Sequence, residues 1–132
     1  MKYLLLIVIG GIILTASSAS GDALTGVQFL KRCSAVEKVN RVPVSEEETV
    51  YATFCLGYMT GFVDHYELLD NKNNLKNKTF CLAASDGRLT NTLLVEIVLY
   101  YLKKNPEKQS LPISKTVSLA LQEALPCGTD NK

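Results

Sequence analysis

Four cysteines constrain this chain of 132 residues more than any other feature. Cys33, Cys55, Cys81 and Cys127 lie 22, 26 and 46 residues apart, with no Cys-x-x-Cys pair among them. What such a set builds depends on the compartment. In an oxidising one, an even count in a small chain reads as two structural disulfides, and in a reducing one as metal binding or thiol chemistry.

The first twenty residues decide between these. Lys2 is a short basic start, Tyr3 to Leu14 is an unbroken apolar or glycine run, and Thr15 to Ala19 are all small. Ser17 and Ala19 suit a peptidase that accepts only small side chains at those two places, so the segment reads as a secretory signal peptide. An uncleaved membrane anchor is the rival, since no charge stands between Tyr3 and Gly21. A spanning helix wants about 20 strongly apolar residues, however, and the second half of this run turns to Ser, Thr and Ala. The expected plan is a signal peptide over 1–19 and a single domain over 20–132, with no membrane association after cleavage. All four cysteines survive the cut and are expected as two disulfides.

Composition excludes several classes. The chain is 47% hydrophobic and 20% charged, which excludes a disordered polyelectrolyte. Of its 14 basic and 13 acidic residues the signal takes only Lys2, so the remainder is neutral and offers nucleic-acid phosphates no basic field. The single histidine, His65, is a poor supply of nitrogen ligands, so neither a metal site nor a cofactor is expected.

The pattern after residue 20 is helical. Thr25 with Gln28 fits a capping box opening a first helix from about Thr25 to Lys38. Pro43 marks a connection, and Ser45 with Glu48 forms a second capping box. Glu46, Glu47 and Glu48 also favour the positive end of a helix dipole. The second helix keeps Tyr51, Phe54, Cys55, Tyr58, Met59, Phe62, Tyr66 and Leu69 at helical spacing and is expected to end near Asp70. Gly57 and Gly61, four apart, predict a close crossing by a neighbouring helix. Asp70 to Lys78 reads as a polar loop containing the glycosylation-type sequon Asn77-Lys78-Thr79. After a break at Ser85-Asp86-Gly87, Thr90 caps a third helix that buries Leu93, Leu94, Ile97, Val98, Tyr101 and Leu102 and stops at Pro106. Ser110 and Pro112 open a fourth, with Ile113, Val117, Ala120, Leu121 and Ala124 on one face, ended by Pro126. No alternation long enough for a strand occurs. The fold class is therefore all-α, a small disulfide-stabilised bundle of about four helices.

This layout favours one of three possible pairings. Antiparallel third and fourth helices bring Cys81 and Cys127 to the same end of the bundle. A hairpin of the first two brings Cys33 towards Cys55, with a mismatch of roughly 7 Å at 1.5 Å per residue.

Catalytic chemistry would have to use His65. Its neighbours Asp64 and Glu67 lie on other faces of the same helix, and oxidised cysteines are not nucleophiles. Asp64-His65 has the residue types of the His–Asp pairs of small secreted phospholipases, but no glycine-rich calcium loop precedes it. No enzymatic activity is expected. The tyrosines suit half-buried positions and partner surfaces.

The chain resembles the Rap1a/Tai family of exported immunity proteins. The resemblance rests on Cys33 after an amphipathic start, on the run Cys55-Leu56-Gly57-Tyr58-Met59-Thr60-Gly61-Phe62-Val63-Asp64, and on Phe80-Cys81. It continues through Tyr101-Leu102, Asn105-Pro106-Glu107 and Ala120-Leu121 to Leu125-Pro126-Cys127. The run from Leu82 to Asp86 lacks the proline expected there, and Ile113 stands where a small Ala commonly follows the proline. The resemblance implies a helical, disulfide-bonded periplasmic protein, often a homodimer, that binds and blocks a peptidoglycan amidase toxin delivered by type VI secretion. The contact surface expected on this chain is the polar segment with Asp70, Asn71, Asn73 and Asn74, joined by Asp64 and His65. A general periplasmic chaperone or scaffold, and a small secreted hydrolase, are the competing classes.

Overall fold

The computed structural model describes residues 23–39, 41–73, 79–82 and 88–127, and for 70–73 the backbone alone. The signal segment 1–19, Asn74, the sequon positions 77 and 78 and the break at 85–87 lie outside the described residues. The described residues form four helices of at least eight residues and one single turn. These are α1 (Gly26–Cys33), the turn α2 (Val36–Val39), α3 (Glu46–Asn73), α4 (Asn91–Lys104) and α5 (Ile113–Ala124), with a 3-10 turn at Pro106–Lys108. No strand occurs among them, only an isolated bridge between Thr25 and Pro112. The fold is an all-α bundle with two disulfides.

Local chemistry starts three of these helices. The Gln28 amide N–H reaches the Thr25 hydroxyl at 3.4 Å, and the Thr25 N–H donates back to Gln28 Oε1 at 3.0 Å. Ser45 and Glu48 repeat the device at the start of α3, at 3.0 and 3.2 Å. Thr90 accepts from the Leu93 N–H at 3.2 Å. Each bond satisfies a donor that the first helical turn leaves without an internal partner.

The first helix is shorter than its pattern suggests. It ends at Cys33, and Ser34-Ala35 separate it from α2. This break closes the mismatch at the first disulfide. Cys55 stands ~14 Å along α3 from Glu46, and the turn α2 with its flanking connections covers that height before the chain reverses. Cys33 and Cys55 are then bridged with Cα atoms 5.6 Å apart, and Cys81 and Cys127 with Cα atoms 4.9 Å apart.

The core lies between α1, α3, α4 and α5. Phe29, Cys55, Met59, Phe80, Leu99, Leu102, Val117 and Leu121 are fully buried in it. Helix α4 packs against both α3 and α5, and α3 also carries α1 and α2. The amino end of α1 is laced to the α4–α5 connection. Gly26 N–H donates to the Leu111 carbonyl at 3.0 Å, Val27 N–H to that of Gln109 at 2.9 Å, and Ile113 N–H to that of Leu24 at 2.7 Å. Gly26 is needed for this approach: a Cβ there would stand 2.7 Å from Leu102 Cδ2 and 3.0 Å from the Gln109 backbone.

Three expectations about α3 are corrected. The helix does not stop near Asp70 but continues through Asn73, so Asp70, Asn71 and Asn73 belong to a helix and not to a loop. Propagation adds a hydrogen bond for each residue fixed, which outweighs the weak local preference of Asn for turns. Phe54 and Leu69 are exposed, whereas Ala52 is buried beside Cys55 and Met59. No described helix crosses at Gly57 and Gly61: a Cβ at either would meet nothing within 4 Å. On α5, Ala124 is exposed and Thr116 is buried in its place, its hydroxyl donating to the Pro112 carbonyl at 3.4 Å.

Candidate partner-binding surface

Among the described residues, the single histidine lies in no catalytic arrangement. Asp64, His65 and Glu67 are all exposed on α3, and adjacent helical positions diverge by about 100°. His65 makes no hydrogen bond or ion pair with the described residues. Among those residues, no group of three His, Cys, Asp or Glu side chains could hold a metal ion. Every cysteine is in a disulfide. The side chains of Asp70, Asn71 and Asn73 are outside the description, so of the expected contact residues the structure places Asp64 and His65 on the surface and sets the backbone of Asp70, Asn71 and Asn73 in line beyond them, with Asn74 outside the described residues.

A polar cleft of about 310 Å³ forms where α1 faces the start of α3, lined by Gln28, Lys31, Arg32, Glu47 and Tyr51. The Tyr51 hydroxyl donates to Glu47 Oε1 at 2.8 Å. The Glu47 carboxylate holds the phenolic proton in place and raises Tyr51 above the ordinary tyrosine range, with Arg32 acting weakly the other way. Two cations, a phenol and a carboxylate around one opening can take a polar or charged group from a partner. They supply no activated nucleophile. Sequence reading missed this cleft because its two walls are 19 residues apart at Arg32 and Tyr51, and neither wall carries a local motif.

A smaller notch of about 150 Å³ lies between α4 and α5, among Ile97, Tyr100, Tyr101, Ala120, Glu123 and Ala124. Its lining is mostly apolar, and Tyr100 stands exposed at its edge. Burial raises the Tyr101 phenol, with smaller contributions from Glu123 and Glu107. Lys104 closes one side by pairing with Glu123 at 3.0 Å.

The outward side of α3 carries several exposed apolar residues. Val50, Phe54, Leu68 and Leu69 are exposed on it, together with Gly57 and Gly61. Tyr58, on the flank, turns inwards to meet Phe29 edge-on at 5.9 Å, and burial raises its phenol. Asn91 donates to the Thr60 hydroxyl at 2.7 Å on the other flank, fixing the start of α4 against α3. The helix is thus bounded on both flanks by the bundle, and no described residue covers the face in between. No helix among the described residues is long and apolar enough to cross a membrane.

No curated protein and no solved structure matches the chain. The family model of the Rap1a immunity proteins matches residues 25–127, from the α1 cap to the last cysteine, which takes in the whole of the described bundle and both bridges. The chain belongs to the Rap1a immunity protein family.

Proposed function

We propose that the protein is exported to the periplasm, where it binds a peptidoglycan amidase toxin of type VI secretion and blocks it by covering the toxin's active-site cleft. The observation that carries this reading is the family match over residues 25–127. Two disulfides support it, because such bridges persist in oxidising compartments outside the cytosol. So does the dispersal of the acid–base residues, which suits an inhibitor that acts by occlusion and not by chemistry of its own. In this reading residues 1–19 are removed as a signal peptide, residues 20–132 act as one domain, and the protein works as a homodimer. The toxin contacts are Asp64, His65, Asp70, Asn71, Asn73 and Asn74, at the carboxyl end of α3 and just beyond it.

Co-expression with an amidase toxin encoded beside the gene tests the function. Rescue of a sensitive strain is the expected result. Absence of rescue, with no periplasmic partner bound at micromolar concentration, overturns it. A partner set of many unfolded clients in place of one toxin would instead support a periplasmic chaperone. Asp64→Lys with His65→Ala tests the site alone: both residues are exposed, so the fold should survive while rescue weakens.

A further inference from the structure

The cleft between α1 and the start of α3 has two walls of opposite hydrogen-bonding character. Gln28, Lys31 and Arg32 stand at i, i+3 and i+4 on α1 and so share one side of that helix. They offer donors. Gln28 Oε1 is taken by the Thr25 N–H in the capping box, which leaves the amide Nε2 group to donate. The side chains of Lys31 and Arg32 make no hydrogen bond or ion pair with the described residues.

The α3 wall offers acceptors. Glu47 and Tyr51 stand four apart, and the Tyr51 hydroxyl commits its proton to Glu47 Oε1 at 2.8 Å. What remains to meet a ligand is the carboxylate and the phenolic oxygen. Opposite charges therefore line one opening without pairing across it. The first disulfide fixes the spacing of the walls. Arg32 adjoins Cys33, Tyr51 lies one turn before Cys55, and that buried bridge holds the two cysteine Cα atoms 5.6 Å apart.

We propose that this cleft binds a small zwitterion, an amino acid or a dipeptide, with its carboxylate on Arg32, Lys31 and Gln28 and its ammonium on Glu47 and the Tyr51 oxygen. The guanidinium fork matches a carboxylate in two parallel bonds, and the Lys31 ammonium adds a point charge. A lone anion would face the Glu47 carboxylate, and a lone cation would face two like charges. Only a ligand that carries both groups satisfies both walls. A volume of about 310 Å³ stands at the small end of the roughly 300–1,000 Å³ of ligand sites, which suits a molecule of this size. Lys31 and Arg32 are exposed, so salt screens the attraction and the affinity is modest.

NMR titration of the exported, oxidised protein with L-alanyl-L-alanine tests this without any toxin, so its failure leaves the immunity reading untouched. Amide shifts should move at residues 28–33 and 47–51. A Kd of ~1 mM in low salt is expected of a ligand of about ten non-hydrogen atoms. It should weaken several-fold when salt is raised to ~0.5 M. N-acetylation removes the ammonium and C-terminal amidation the carboxylate, and each should weaken binding about tenfold. Arg32→Gln should weaken the free dipeptide about tenfold as well, and Glu47→Gln should erase its advantage over the N-acetylated form. Both side chains are exposed, so the circular dichroism spectrum should not change. No shift up to ~20 mM, equal binding of the three dipeptide forms, or binding indifferent to Arg32→Gln would each overturn the proposal. So would a wild type that ignores the dipeptide while Arg32→Gln abolishes toxin rescue, which would give the cleft to the toxin.

Discussion

The Tyr66 hydroxyl donates to the Phe80 carbonyl at 2.7 Å while the two rings stack with centroids 4.1 Å apart. Phe80 is fully buried and precedes Cys81, so this double contact pins the returning chain onto α3 beside the second disulfide. Phe62 adds a second stacked ring at 6.4 Å. Tyr66→Phe keeps the stack and leaves the Phe80 carbonyl without its donor. It should lower unfolding free energy by about 1–2 kcal/mol in urea titrations. Tyr66→Ala removes the ring as well and should cost more. Equal losses for the two variants would mean that the stack contributes nothing.

Glycine substitutions should change stability in opposite directions along the chain. Gly26→Ala places a methyl against Leu102, which can move at its tip, and against the Gln109 backbone, which cannot. A loss of about 1–3 kcal/mol is expected. Gly57→Ala meets nothing and removes backbone freedom from the unfolded chain. In dilute protein it should gain up to ~1 kcal/mol, read from the denaturation midpoint.

The two bridges differ in accessibility. Cys33 and Cys55 are fully buried, whereas Cys81 and Cys127 are half-buried. Under graded dithiothreitol, thiol trapping and peptide mapping should find Cys81 and Cys127 labelled first. Removing either bridge should cost roughly 3–4 kcal/mol in the loop-entropy model, slightly more for the longer loop.

Acid should weaken the α2–α3 junction through Glu48. Its carboxyl is held below the ordinary range, first by the Lys38 ammonium at 2.8 Å and then by the Ser45 N–H. A carboxyl depressed in the folded state contributes stability above its unfolded pKa and loses it as pH falls through the folded one. Lys38, raised by the same contact, has its contribution at and below neutral pH and loses it in strong alkali. Glu48→Gln keeps the capping geometry but removes the charge. The variant should show a flatter decline in thermal midpoint between neutral pH and about pH 3, and less sensitivity to salt.

Most helix starts in this protein were legible because their cause is local. Thr25 with Gln28, Ser45 with Glu48, and Thr90 each close a hydrogen bond within three residues, so the chain carries that information wherever it folds. Pro106 stops α4 for an equally local reason, since it has no N–H to donate. The interruption at Ser34-Ala35 was not legible, because Ala35 and Val36 continue an apolar pattern and only the turn towards α3 requires α1 to end before them. Nor was the end of α3, where Asn71 and Asn73 are ordinary turn residues in isolation. The sides of α3 were the hardest to assign. Periodicity shows that apolar residues recur, but with apolar groups on both sides it cannot say which side meets the core. Packing against α1 and α4 put Ala52 and Met59 inside and left Phe54, Gly57, Gly61 and Leu68 facing out. Burial depends on neighbours distant in sequence, and those neighbours exist only once the bundle has formed.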